Sequence, residues 1–77
     1  MDWTSVQSSQ IREIGYDNTQ RAIGVKFKGK NPQTYVYEGP DVTAELFDQF
    51  LKAPSKGKFL AERIKKATRI AGRKVST

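Results

Sequence analysis

The first forty residues carry apolar side chains at alternating positions, which is the pattern of β-strands that bury one face. The clearest strand is 21–28, where Ile23, Val25 and Phe27 alternate with glycine or lysine. Similar segments, 11–16 and 34–37, flank it and are set off by runs of residues that favour turns. Because short connections of this kind join antiparallel neighbours, we predict a three-stranded antiparallel meander.

From residue 41 onwards the apolar residues recur every three or four positions, which is typical of amphipathic helices. The first predicted helix spans residues 41–53. Asp41 is a suitable N-cap, because its carboxylate accepts hydrogen bonds from the first backbone N–H groups of a helix. Pro54 disfavours helical geometry in the residue before it and ends the helix there.

A second helix is predicted over about residues 58–71. Either Ser55 caps its N-terminus or Gly57 lies just before it. Gly72 suits the position after a helix C-terminus, because glycine adopts the left-handed conformation at low cost. Residues 73–77 are predicted to be a basic, flexible tail.

These elements define an α+β fold, with a three-stranded antiparallel meander followed by two helices packed on one face of the sheet. Residues 1–72 form the single predicted domain, because a chain of 77 residues has room for one small core. The predicted core consists of Ile11 or Ile14, together with Ile23, Val25, Phe27, Leu46, Phe47, Phe50, Leu51, Leu60 and Ile64.

Composition disfavours most enzyme classes. The chain has no cysteine and no histidine, so it has no thiolate metal site and lacks the commonest general base and metal ligand. We therefore expect a non-enzymatic protein without cofactor or metal. No apolar run reaches the roughly 18 residues of a membrane span, and the N-terminus does not resemble a signal peptide. These features predict a cytoplasmic protein that does not bind membranes.

Charge is distributed unevenly along the chain. Residues 1–51 hold 5 basic and 7 acidic residues, whereas residues 52–77 hold 9 basic residues and 1 acidic residue. The second predicted helix places its basic residues opposite Leu60 and Ile64, with Glu62 the one acidic interruption. The candidate nucleic-acid-binding residues are Lys58, Lys65, Lys66, Arg69 and Arg73 on this face, Arg63 at its border and Lys56 just before the helix.

Two interpretations of this basic face compete. A charged helix face is commonly only a solvated face, but solvated faces usually mix both signs of charge. A face of one sign repels itself unless an anionic partner neutralises it, so we favour an anionic partner. The narrow apolar stripe of the same helix is sized to pack on the sheet, which argues against a lipid surface. Nucleic acid and an acidic protein remain as partners.

Tyr35 and Tyr37 lie two residues apart, so their side chains share one face of the third predicted strand. In the interpretation we prefer, both tyrosines join the core with Ile23, Val25 and Phe27. In the alternative, they stand on the open face of the sheet and form a stacking platform for nucleic-acid bases.

Four stretches occur in a distinctive order: V-x-S-S-x-I-x-x-I-G-Y-D over 6–17, I-x-V-x-F over 23–27, Y-V-Y over 35–37 and A-x-S-x-G-x-F-L-x-x-x-I over 53–64. With this pattern the chain resembles the KTSC domain family, named for a C-terminal extension of some lysyl-tRNA synthetases. The family has a central Y-x-Y motif and occurs as small bacterial and phage proteins. The resemblance implies RNA binding, which has been suggested for the family.

The leading hypothesis is a nucleic-acid-binding module, for RNA more than DNA, whose basic helix contacts phosphates. The alternative is a bacterial or phage-encoded module that binds and modulates an acidic host protein. The sequence leaves base specificity and oligomeric state open.

Overall fold

The computed structural model describes residues 1–30, 33–67 and 69–75. Five antiparallel strands form one sheet in the order of the chain. The strands are β1 (Asp2–Ser5), β2 (Ile11–Asp17), β3 (Ala22–Phe27), β4 (Thr34–Glu38) and β5 (Ala71–Val75). Between β4 and β5 lie α1 (Ala44–Lys52) and α2 (Lys56–Phe59), and α2 continues directly as a π-helical stretch, Leu60–Lys65. The α+β class is confirmed.

The register of the sheet puts most of its large apolar residues on one face. Ile23 lies opposite Tyr37, and Val25 lies opposite both Ile14 and Tyr35. We call this the covered face, because the residues of both helices pack into the same core. Successive strand residues point to opposite faces, so the alternation along β3 determines which face the helices cover.

A β-bulge in β2 settles which isoleucine enters the core. The register shifts between Ile11 and Glu13, so one extra residue is inserted there. Ile11 and Ile14 are three residues apart, yet both are fully buried. The extra residue therefore turns both side chains to the covered face, where an unbroken strand would present only one of them.

Both helices begin at a hydroxyl side chain. Thr43 caps α1, with its side chain accepting a hydrogen bond from the backbone N–H of Leu46 at 3.1 Å. The predicted cap, Asp41, lies two residues earlier and pairs with Arg69 instead. Ser55 caps α2 in the same way as Thr43, accepting from the backbone N–H of Lys58. The predicted choice between Ser55 and Gly57 is thus decided for Ser55.

The core lies between the covered face and the helices. Of the predicted members, Phe27, Leu46, Phe47 and Leu51 are partly buried against it, and Ile11, Ile14, Ile23, Val25, Phe50, Leu60 and Ile64 are fully enclosed. Val42 and Ile70, which the predicted core did not include, join them, and so does Tyr37, in line with the preferred interpretation of the tyrosines.

The prediction of three strands is wrong, because β1 and β5 extend the sheet at its two edges. The predicted helix over 58–71 ends near Lys65, and the segment predicted as its end and as a loose tail forms β5 up to Val75. Backbone pairing explains the difference, since β5 satisfies the N–H and C=O groups along the outer edge of β4. Gly72 helps, because the ring of Tyr37 occupies the space of its missing side chain.

The predicted break at 29–32 is only partly described, because Asn31 and Pro32 lie outside the described residues. Across this break, the backbone N–H of Phe27 donates a hydrogen bond to the carbonyl of Gln33 at 2.9 Å. Gly29 has a φ of +132°, a conformation that favours glycine.

Candidate nucleic-acid interface

The structure separates the seven predicted basic residues into two groups. Lys56, Lys58, Arg63, Lys65 and Lys66 lie on one continuous helical segment and its C-terminal cap. We call this group the helical cations. Arg69 lies in the connection to β5, and Arg73 lies within β5. The predicted stripe of a single helix is therefore wrong for these two arginines.

Arg69 and Arg73 each pair with a carboxylate. Arg69 Nη1 lies 3.3 Å from Asp41 Oδ1, and Arg73 Nε donates to Glu38 Oε1 at 2.8 Å. Both pairs are partly exposed, so each contributes little to stability. Each carboxylate also neutralises part of the positive potential that its arginine would direct at an anion.

The helical cations have no such partner. None of the five forms an ion pair with a carboxylate of residues 1–30, 33–67 or 69–75. Lys58, Arg63, Lys65 and Lys66 are exposed, whereas Lys56 is half-buried and donates from Nζ to the carbonyl of Ala53 at 2.5 Å. Their positive potential is therefore directed at solvent, where it attracts anions.

A polar cleft of about 510 Å³ lies at the start of this helical segment. We call it the serine–lysine cleft, and two stretches line it: Gln7, Ser8, Ser9 and Gln10 from the β1–β2 connection, and Pro54, Ser55, Lys56, Gly57 and Lys58. Both stretches lie within the segments on which the family resemblance was based. Their convergence was not predicted, because they are far apart in the chain and each alone is explained by a turn or a cap.

Hydroxyl groups in the cleft keep hydrogens to donate. Ser8 Oγ accepts from the backbone N–H groups of Gln10 and Ile11, and Ser55 Oγ accepts from that of Lys58. Each hydroxyl is a donor as well as an acceptor, so both O–H groups remain suited to an anionic oxygen. Lys58 adds a positive charge to the same wall.

On the other side of Lys58 the surface becomes more apolar. A hollow of about 220 Å³ is lined by Ala53, Pro54, Ser55, Lys58, Phe59, Glu62 and Arg63, and we call it the Phe59 hollow. Phe59 stacks on buried Phe50, with ring centroids 5.2 Å apart. The guanidinium carbon of Arg63 lies 5.2 Å from the centroid of Phe59, and Arg63 Nη2 donates to Gln49 Oε1 at 3.0 Å. Arg63 is therefore held in place although it is exposed.

The two central tyrosines lie on the covered face, as the preferred interpretation predicted. Tyr37 is only 4% exposed, Tyr35 is half-buried, and their rings stack with centroids 6.3 Å apart. Burial raises the pKa of Tyr37, and the neighbouring Tyr35 raises it further. The alternative, a stacking platform on the open face, is wrong, because Tyr37 belongs to the buried core and Tyr35 packs against that core.

The open face of the sheet carries Trp3 instead. Its ring and the Met1 side chain lie over Gly24, where a Cβ atom would come within 2.6 Å of each. Lys26 Nζ lies 4.3 Å from the centroid of Trp3 and 3.8 Å from Glu13 Oε2. Lys26 therefore has an acidic neighbour on this face, unlike the helical cations.

Fold and sequence define the same class of protein, a small domain with an antiparallel meander and helices on one face. The KTSC domain family model matches residues 7–67, so the chain belongs to the KTSC domain family. It is 33% identical to a KTSC domain protein from Yersinia pestis whose crystal structure is known, with a TM-score of 0.82 and 97% of each chain covered. It is also 38% identical over 55 residues to a protein from Tsukamurella paurometabola, covering 71% of this chain and 76% of that one.

No helix within the described residues is long and apolar enough to cross a membrane.

Proposed function

We propose that this protein is a non-enzymatic nucleic-acid-binding module that acts in the cytoplasm and prefers RNA to DNA. The observation that supports the proposal is the set of helical cations, which share one segment and pair with no carboxylate among the described residues. Nucleic acid carries a dense row of phosphates, and binding releases the counterions condensed on it. That release favours a protein with clustered, unpaired lysine and arginine side chains.

Phosphate contacts fall into two sets in this proposal. Lys65 and Lys66, at the end of the helical segment, contact phosphates as solvent-exposed point charges. Lys58, Ser8 and Ser55 contact a phosphate in the serine–lysine cleft, where ammonium and hydroxyl groups lie together. A nucleic-acid backbone that runs along the helical segment contacts both sets of residues.

RNA is favoured over DNA for two reasons. RNA binding has been suggested for the KTSC family, to which the chain belongs. Moreover, the interface is a convex helical segment with a cleft beside it, whereas recognition of duplex DNA commonly inserts a helix into the major groove with side chains aimed at base edges.

An acidic protein is the competing partner, because the same cations attract carboxylates. Binding of labelled single-stranded RNA, duplex RNA, duplex DNA and polyglutamate to the purified protein distinguishes the two. We expect single-stranded RNA to bind most tightly at low salt. Tighter binding of polyglutamate, or no binding of any nucleic acid at about 50 mM salt, would overturn the proposal. Partners recovered from a lysate should vanish after nuclease treatment.

A further inference from the structure

We propose that Arg63 is a stacking platform for an unpaired base, so that the ligand is single-stranded nucleic acid with one base seated at the Phe59 hollow. The inference rests on the proposed function and narrows it from nucleic acid in general to strands with unpaired bases. The base lies against the Arg63 guanidinium, and Lys58 binds the adjoining phosphate on the serine–lysine cleft side.

The platform is built before any ligand arrives. Phe50 is fully buried and anchors Phe59, and Arg63 lies over Phe59 as a third layer. The hydrogen bond to Gln49 fixes the guanidinium within this stack. Arginine loses much side-chain entropy when it is immobilised, and here that cost is already met within the folded protein. A base that stacks on Arg63 therefore gains contact at a small cost in entropy.

The position of Arg63 favours a base over an acidic side chain. A carboxylate binds arginine at the N–H edge of the guanidinium, in a bidentate geometry. At Arg63, one of these N–H donors, on Nη2, is already bonded to Gln49, which leaves fewer for a carboxylate. A base uses the flat side of a guanidinium, as is common when proteins recognise unpaired RNA bases. Phe59 lies on one side of Arg63, and the exposed side chain leaves the other side accessible.

Lys58 and Arg63 outnumber Glu62 in the lining of the Phe59 hollow, so its charge fits one nucleotide of a strand. Lys58 lines both the serine–lysine cleft and the Phe59 hollow, so a single ammonium lies between a polar site and an apolar one. A nucleotide has the same division, because its phosphate is anionic and its base is flat and largely apolar. Bases within a duplex are stacked and paired, so they do not reach such a platform without being extruded.

Oligonucleotides with and without bases test the inference. A short labelled uridine oligomer and an abasic oligomer of equal length carry the same phosphate charge, and only the first has bases to stack. We expect the wild-type protein to bind the uridine oligomer about tenfold more tightly than the abasic one. Arg63→Lys keeps the charge but lacks the planar group, so it should abolish most of this difference.

Lys65→Gln is the matched control, because it removes a helical cation outside the hollow and should weaken binding of both oligomers equally. A wild-type protein that binds both oligomers alike, or Arg63→Lys that keeps the wild-type preference, would overturn the stacking platform. If the stacking platform were overturned but the abasic oligomer still bound in a salt-sensitive way, the proposed function would still hold. Binding of polyglutamate without binding of either oligomer would overturn both proposals.

Discussion

Arg73 and Glu38 form an ion pair across the last two strands, with Nε of Arg73 donating to Oε1 of Glu38 at 2.8 Å. The pair exists because β5 lies beside β4, with Arg73 opposite Val36 and Glu38 opposite Ala71. It removes Arg73 from the basic stripe that the sequence pattern extended from the predicted helix into the predicted tail. A positive charge among the helical cations should therefore attract an anion more strongly than a carboxylate-paired charge on the β5 side of the molecule.

This difference gives a charge-matched test. Lys65→Gln with Lys66→Gln removes two helical cations, and Arg69→Gln with Arg73→Gln removes two cations that pair with carboxylates. For single-stranded RNA, we expect the first double variant to make the slope of log K against log salt shallower by about 1.4. The second should leave the slope close to that of the wild type. Fluorescence anisotropy over a salt series measures both, and equal losses would contradict the grouping.

Gly39 lies where the chain returns to form β5, and a side chain there meets backbone. An added Cβ atom would overlap the carbonyl oxygen of Arg69, which has little freedom to move. Gly39→Ala should therefore lower the free energy of unfolding by about 1–3 kcal/mol. The control is Gly57→Ala, whose nearest contact is the flexible end of Gln10 at 3.3 Å. Because alanine favours helix, this control should be neutral or slightly stabilising in urea denaturation.

Burial of Tyr37 makes stability depend on alkaline pH. Its pKa in the folded protein is raised above the ordinary value of 10.0, by burial first and by Tyr35 second. The folded state thus holds the phenolic proton more tightly than the unfolded state. This tighter proton binding adds to the free energy of unfolding in full below about pH 10. The added stability is lost as the pH rises through the folded-state pKa. Above about pH 10, the urea-denaturation midpoint of Tyr37→Phe should fall less steeply than that of the wild type. Parallel curves for the two proteins would contradict this assignment.

Trp3 reports on the open face of the sheet. Gly24→Ala would place a methyl group within 2.6 Å of both the Trp3 ring and the Met1 sulfur, so the ring must move towards solvent. We expect a red shift of tryptophan fluorescence and a loss of about 1–3 kcal/mol in stability. Gly29→Ala is the control, because its φ of +132° makes alanine costly while no atom of the described residues lies within 4 Å of the added Cβ. That variant should lose stability without a change in emission, whereas a red shift in both would refute the placement of Trp3.

The sequence predicted the central strands and the presence of two helices because their signals are local, although α1 begins at Ala44, three residues after the predicted cap. Ile23, Val25 and Phe27 alternate in a way that no helix produces, and this alternation also places Tyr35 and Tyr37 on the covered face. The edge strands lack such a signal. Within β1 the one large apolar side chain is Trp3, and β5 has a composition that also fits a helix end. Pairing with the free edges of β2 and β4 makes both segments strands, and that interaction is not visible in a local pattern.

The sequence likewise predicted only part of the candidate interface. The helical cations were predicted because they are close in the chain and share one segment. Arg69 and Arg73 were misplaced, since their role depends on where the helix ends. The serine–lysine cleft and the order Phe50, Phe59, Arg63 depend on tertiary packing between segments, which periodicity does not reveal.

The salt dependence of binding to single-stranded RNA tests the central claim most directly. If the helical cations neutralise about four phosphates, log K should fall against log salt with a slope near −3 for the wild-type protein. Titrating labelled single-stranded RNA with the protein over about 50–200 mM salt gives this slope. A slope close to zero, or an absence of binding at the lowest salt, would contradict a phosphate-binding role for the helical cations.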